Sequence, residues 1–216
     1  NLFGKNIFFD NFLKKNSINI LSHTNYLGKN SKIFSLKWFP DFQEIHLPEL
    51  FSSKQLMARS YDIKMSEKHA TNIIVSSKSV QRDLKKIDKK AYKKSLIFKH
   101  VNEIIRPDKL KTYQELKKKY NLKKNYYFLP NHFWKHKNHI VVLKALKHIK
   151  KVANFQIIAS GNITDYRAPN HFKYLKNFIK ENKLEHLFKI LGVVPFNDVL
   201  SLMKHSICLI NPSLCE

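Results

Sequence analysis

Tyr126-Tyr127-Phe128-Leu129-Pro130-Asn131-His132-Phe133-Trp134-Lys135-His136-Lys137-Asn138-His139 decides the fold. The first four residues read as a buried strand, and a basic, aromatic loop follows. From His139 a helical pattern begins, with Val142, Leu143, Leu146 and Ile149 at core-facing spacing. Strand, loop and helix in that order make the first part of a βαβ unit. Three other loops also follow short apolar runs: Ser160-Gly161-Asn162, Val193-Val194-Pro195 and Asn211-Pro212-Ser213. In a parallel sheet such loops gather outside the carboxyl ends of the strands, where these sheets bind ligands.

The same alternation runs outward along the chain. Strand-like runs fall at 33–39, 72–75, 95–101, 126–129, 155–159, 188–191 and 207–210. Helix-like segments fall between them at 54–70, 78–87, 113–120, 139–149, 172–181 and 198–205. The pattern predicts an α/β chain with parallel sheets. Arg106-Pro107-Asp108 is polar and carries a helix breaker, so a boundary is expected there. The expected organisation is one domain over 1–104, a linker over 105–124 and a second domain over 125–216. Asn138 and Asn197 are expected to cap the helices that follow them. Ser76-Ser77 before the 78–87 helix reads as an N-cap rather than a nucleophile, since no Ser/His/Asp set is evident.

Composition narrows the classes. With 216 residues and 43% hydrophobic content the chain can bury a real core. No apolar stretch approaches the ~20 residues that span a bilayer, and no signal peptide is visible. Two cysteines without a spacing pattern, Cys208 and Cys215, argue against a disulfide framework or a zinc site and suit a reducing compartment. The chain starts at Asn1 and stops inside a motif, as a fragment would. Net charge is +24, from 40 Lys+Arg against 16 Asp+Glu. That excess fits a solvated basic surface in a lysine-, asparagine- and isoleucine-rich chain. It also fits attraction to an anionic membrane or substrate, or to nucleic acid.

The loops carry the chemistry. Lys135, His136 and Lys137 lie just before a helix start, whose free N–H groups already favour anions. His132, His136 and His139 do not have zinc spacing. Gly161 is one of only four glycines, and its place after a strand suggests close backbone approach to a ligand. Ser213 and Glu216 would face the same crevice. Cations beside a helix start suit phosphate and a carboxylate suits hydroxyls, so a nucleotide-sugar would satisfy both. In the first half, Asp41, Gln43 and His46 lie among aromatics, as in a pocket lining, while Trp38 and Phe42 could equally be core.

Together these motifs resemble family 4 (group 1) glycosyltransferases of the GT-B fold. The residues that carry the resemblance are Trp38-Phe39-Pro40-Asp41-Phe42-Gln43 with Leu47-Pro48-Glu49-Leu50-Phe51-Ser52, Phe133-Trp134-Lys135-His136-Lys137-Asn138-His139, Ser160-Gly161-Asn162 with Asp165, Leu191-Gly192-Val193-Val194-Pro195, and Asn211-Pro212-Ser213-Leu214-Cys215-Glu216. The resemblance implies two Rossmann-like domains facing across a cleft, both incomplete here. The first would hold the acceptor (Asp41, Gln43, His46) and the second the nucleotide-sugar. Lys137 would grip the donor diphosphate, helped by Lys135. Asn131 stands where many members carry a cation. Gly161 would border the donor, and Val193 and Val194 would lie against the nucleobase. Asn211 and Ser213 would line the donor crevice. Glu216 would contact the sugar, as the first acid of a Glu-(seven residues)-Glu motif. Lys137 and Glu216 are thus the expected catalytic residues. Glu44 stands where members often carry histidine.

The expected activity is transfer of a hexose from a nucleoside-diphosphate sugar to a glycan or lipid-linked acceptor, with retention. No metal or other cofactor is implied. Family membership further implies cell-surface polysaccharide synthesis, a cytoplasmic location and peripheral contact with the inner membrane face. The chain alone, lacking both ends, is expected to be inactive. Two rivals stand beside this reading. A nucleic-acid-binding module would explain the charge, although the lysines scatter rather than form a stripe. A non-catalytic GT-B-like protein would explain Asn131.

Overall fold

A computed structural model describes residues 7–23, 27–28, 30–101, 110–123 and 125–215 of the chain. The chain divides into two compact units, Asn1–Asn102 and Glu103–Glu216.

In the first unit α1 (Ile7–Lys15) precedes β1 (Ile20–Ser22) and β2 (Phe34–Phe39). Then come α2 (Gln43–His46), a 3-10 turn at Pro48–Leu50, and α3 (Ser53–His69). The unit continues with β3 (Asn72–Val75), α4 (Lys78–Ile87), α5 (Lys89–Lys93) and β4 (Ser95–Ile97). The strands form one parallel sheet in the order β1-β2-β3-β4. Phe39, Phe42, Ile63, Ile73, Val75, Val80, Leu84 and Ala91 make its core. Ser52 and Gln55 form a capping box at α3, and the Ser77 side chain caps α4 through the Val80 N–H, as expected. The expected strand over 95–101 stops at Ile97, and Phe98 is exposed.

The second unit contains α6 (Tyr113–Tyr120), β5 (Tyr126–Leu129), a 3-10 turn at Lys135–Lys137, and α7 (His139–Ile149). It then runs through β6 (Gln156–Ser160), α8 (His171–Glu181), β7 (Phe188–Gly192) and α9 (Phe196–His205). Its sheet is parallel in the order β5-β6-β7. Side chains alternate between two cores. Leu129, Ile157 and Ala159 join α7 and α8 on one face. Tyr126, Phe128 and Ile158 join Leu116 and Leu202, from α6 and α9, on the other. Leu122, also buried there, follows α6. The stretch 113–122 is therefore packed structure of this unit rather than a free connection.

Two differences from expectation concern this sheet and its helix starts. Residues 207–210 make a bridge at Leu209 to Phe128 rather than a full strand. Even so, Ile207 and Ile210 donate to the carbonyls of Tyr126 and Phe128, and Phe128 donates to Cys208, at 2.8–3.0 Å. The segment thus lies on the opposite side of β5 from β6. Neither asparagine caps its helix through its side chain, although Asn138 does occupy the N-cap position of α7. Asn138 sits in the left-handed region and donates its side chain to the Pro212 carbonyl instead. Asn197 falls inside α9, which begins one residue earlier behind Pro195. On the far side, β7 is the last strand among the described residues, and the Lys189 ammonium near its middle donates to the Asn121 carbonyl at 3.1 Å.

One buried acid ties α6 to α9. Asp198 is fully buried and accepts from the Lys111 and Lys119 ammonium groups and the Tyr120 hydroxyl. Burial pushes its carboxyl up, but the Lys111, Lys119 and Tyr120 donors outweigh that and hold it at about 2. Because the folded value lies below the unfolded one, the stabilisation is present above about pH 4 and disappears as pH falls toward 2. Asp198→Ala should cost the second unit about 3 kcal/mol, because it leaves paired cations without their acid. Urea unfolding followed at Trp134 measures this. Asp198→Asn should also lose the acid-dependent step between pH 4 and 2 that the parent shows.

Candidate functional site

The second unit's sheet reverses its strand order at β5. The crevice beside such a switch point, outside the carboxyl ends of the strands, is the usual ligand position of open parallel sheets. The 130–138 loop after β5 meets the 211–214 segment there. Asn131 donates its side-chain amide to the Asn211 side-chain oxygen at 3.1 Å, and the Ser213 hydroxyl donates to the same oxygen at 2.9 Å. The Leu214 N–H donates to the His136 carbonyl at 2.9 Å. Four residues expected at the donor site, Asn131, Asn211, Ser213 and Lys135, therefore lie on two loops laced together.

The loop after β6 closes on them. Phe133 donates its N–H to the Asn162 carbonyl, and Asn162 donates its own to the His132 Nδ1. Gly161 has a φ of +151°, and a Cβ there would lie 2.5 Å from the Asn131 carbonyl oxygen. Close approach of two backbones thus requires this glycine, and the partner at that distance is the neighbouring loop. Gly161 also donates to the Gly192 carbonyl, which joins the third loop. Val193 beyond it is 77% exposed, whereas Val194 packs against the core shared by Phe128 and Ile158.

A cavity of about 540 Å³ opens beside these loops, lined by Lys135, Asn138, Asn170, His171, Tyr174 and Leu214. The first residues of α7 and α8 border it, so the free N–H groups of two helix starts are near. Its cationic character comes from lysine rather than histidine. His139 is fully buried and stacked on Phe133 at 4.4 Å. Burial, helped by the neighbouring His171 and Lys137 and opposed by the Asn131 backbone, pushes it down to about 4. Burial also lowers His171, more than Asp165 raises it, and Lys135 lowers it further. Lys135 and Lys137 supply the positive charge on this loop.

The three loop histidines have separate partners. His132 accepts from Asn162, His136 meets Arg167 at 3.0 Å, and His139 stacks on Phe133. Among the described residues no group of three or more histidine, cysteine or acidic side chains is placed to hold a metal. Glu216 lies outside the described residues. Asp165 and Arg167 stand out in the geometry, although sequence reading gave them no role. The Asp165 carboxylate is buried and receives the Lys135 N–H, and the Arg167 side chain is almost covered.

In the first unit the acceptor-side candidates are engaged locally. Gln43 donates twice to the Asp41 carboxylate, and Arg59 reaches the Asp41 carbonyl. His46 pairs with Asp83 at 2.7 Å. Burial raises the Asp83 carboxyl, but His46 and Lys86 outweigh this and hold it low. Glu44 pairs with Arg59 at 2.8 Å, which gives the acid at this position a structural partner. Phe42 is core and Trp38 half-buried.

Gly161→Ala should lower stability by about 2 kcal/mol, since both the backbone angle and the contact with Asn131 resist a side chain. A drop in the melting temperature of the second unit measures it.

Residues 111–216 match the family model described as Glycosyl transferases group 1. No curated protein matches the chain. Among solved structures the chain is similar to HepE from Anabaena in complex with UDP and glucose, at 18% identity and a TM-score of 0.68, covering 85% of this chain and 47% of that one. It is similar to a glycosyltransferase from Rickettsia africae at 19% identity and 0.65, covering 96% and 54%. Sucrose-phosphate synthase from Thermosynechococcus elongatus gives 12% and 0.71, covering 95% and 53%. The chain thus spans about half the length of these structures. Its fold is the α/β fold of the GT-B glycosyltransferases, with two Rossmann-like parts, and its second unit is the part that matches the group 1 family.

Proposed function

We propose that the chain is part of a retaining glycosyltransferase that moves a hexose from a nucleoside-diphosphate sugar to a sugar or glycan acceptor. The observation that carries this reading is the convergence of three loops and the 211–214 segment at the switch point of the second unit. Lys135 and two helix starts border the cavity beside them. HepE, similar in fold, was solved with UDP and glucose, which supports a nucleotide-sugar as the ligand.

In this reading the second unit holds the donor. The base lies against Val193 and Val194, and the diphosphate lies over Lys137 and Lys135. Gly161 lets the loops close to one side. The sugar reaches toward Asn211, Ser213 and Glu216. As the anomeric carbon–oxygen bond breaks, its electron pair goes to the diphosphate. The acceptor hydroxyl forms the new bond on the same face of the sugar, and its proton passes to the departing diphosphate oxygen. Stabilising the departing charge is the main catalytic work, and fixed cations and helix N–H groups do it without a metal. The first unit holds the acceptor. The basic composition of the chain suits a lipid-linked acceptor at an anionic inner membrane face, in cell-surface polysaccharide synthesis. Among the described residues no helix is long and apolar enough to cross a membrane.

Calorimetric titration with UDP should show binding to the chain, and Lys137→Ala should weaken it at least tenfold through loss of a charge-assisted contact. In the protein that carries the complete donor and acceptor sites, the same change should lower the transfer rate on the order of 10²–10³-fold. Unchanged UDP affinity in Lys137→Ala would remove the lysine from the donor site.

A further inference from the structure

We propose that Asp165 is the positioning residue of the donor loops. From a buried place on the β6–α8 connection it holds both the lysine turn at Lys135–Lys137 and the 212–214 segment. This rests on the donor reading given above and names the group that sets the geometry of that site.

The contacts form one relay. Asp165 is 4% exposed, so no ligand reaches its carboxylate. One oxygen accepts the Lys135 N–H at 2.9 Å, at the first residue of the 3-10 turn that carries Lys137. The other accepts the Arg167 N–H at 3.0 Å. The Arg167 side chain then turns back and donates to His136 Nδ1 at 3.0 Å. A guanidinium has donors only, so Nδ1 must be the acceptor and the His136 ring proton sits on Nε2. The His136 carbonyl in turn accepts the Leu214 N–H at 2.9 Å. One carboxylate therefore reaches both the lysine turn and Leu214. Trp134 reinforces the clamp, donating its indole N–H to the Thr164 carbonyl at 3.1 Å, with the Arg167 guanidinium 5.7 Å from its ring centre.

The charges suit a support role. The Arg167 guanidinium lies 3.8 Å from the Asp165 carboxylate, so this acid adds no unbalanced negative charge beneath a diphosphate. Lys135 and Lys137 carry the positive charge of this turn. The carboxylate also uses both oxygens as backbone acceptors. Asparagine can replace only one of them, and alanine neither, leaving buried N–H groups without acceptors.

A destabilised protein would lose every ligand, whereas a displaced lysine turn would lose the phosphates alone. The test is therefore calorimetric titration of the chain with UDP and, separately, with uridine. Asp165→Ala should lower UDP affinity at least tenfold while uridine affinity stays within twofold. Asp165→Asn, which keeps one acceptor and guards against loss of folding, should fall between it and the parent. The double variant Lys137→Ala with Asp165→Ala should bind UDP about as well as Lys137→Ala alone, because both changes act through one lysine. An unchanged ratio of UDP to uridine affinity in Asp165→Asn, or additive losses in the double variant, would overturn the proposal. Failure of the parent chain to bind UDP or uridine would instead overturn the donor reading on which it stands.

Discussion

Phe128 is hydrogen-bonded along both edges of its backbone. It pairs in register with Ile158 on one side, and exchanges bonds with Cys208 and Ile210 on the other. The rest of the second unit follows from that double engagement. A strand paired on both sides cannot shift by one residue without turning Tyr126 and Phe128 out of one core and Leu129 out of the other. The fixed strand delivers Pro130 to the carboxyl edge. The same bonds bring the 211–214 segment to that edge from the opposite side, which is how Asn131 and Asn211 meet.

What the site offers a ligand is set by burial as much as by residue type. Histidine, lysine and aspartate crowd the 130–139 and 161–171 stretches. Burial keeps His139 neutral and commits Asp165 to backbone donors, so the positive charge of this loop is carried by its lysines. A basic sequence has become a specific cationic edge because the other titratable groups are spent on structure. The same holds in the first unit, where Asp41, Glu44 and His46 are taken up by Gln43, Arg59 and Asp83.

Much of this frame was legible in the chain. β5, α4, α6 and α7 fall at the residues where apolar periodicity placed them, because each buries a continuous face. The gathering of the loops followed from the parallel alternation alone. Less visible were β1, α2 and α5, which have three to five residues and at most one of them buried, so periodicity has little to register. Cap chemistry misled at Asn138, where the side chain serves Pro212, a partner 74 residues away that no local rule can see. Asp165 entered the sequence reading only as part of a motif, and Asp198 only as a helix residue. Their roles arise from donors 30 to 87 residues distant in the chain.

Lys189 has a consequence beyond its bond to Asn121. An outer strand of a parallel sheet presents a row of free amides and carbonyls that would template another chain, and β7 is such a strand among the described residues. A lysine on that strand keeps a hydrated ammonium beside the edge, which makes a second strand costly to add. The register shift between Ala159 and Ser160 bends the same pairing out of flatness. The edge most exposed to mispairing is thereby guarded against self-association by one charge and one irregularity, independently of any ligand the opposite edge of the sheet receives.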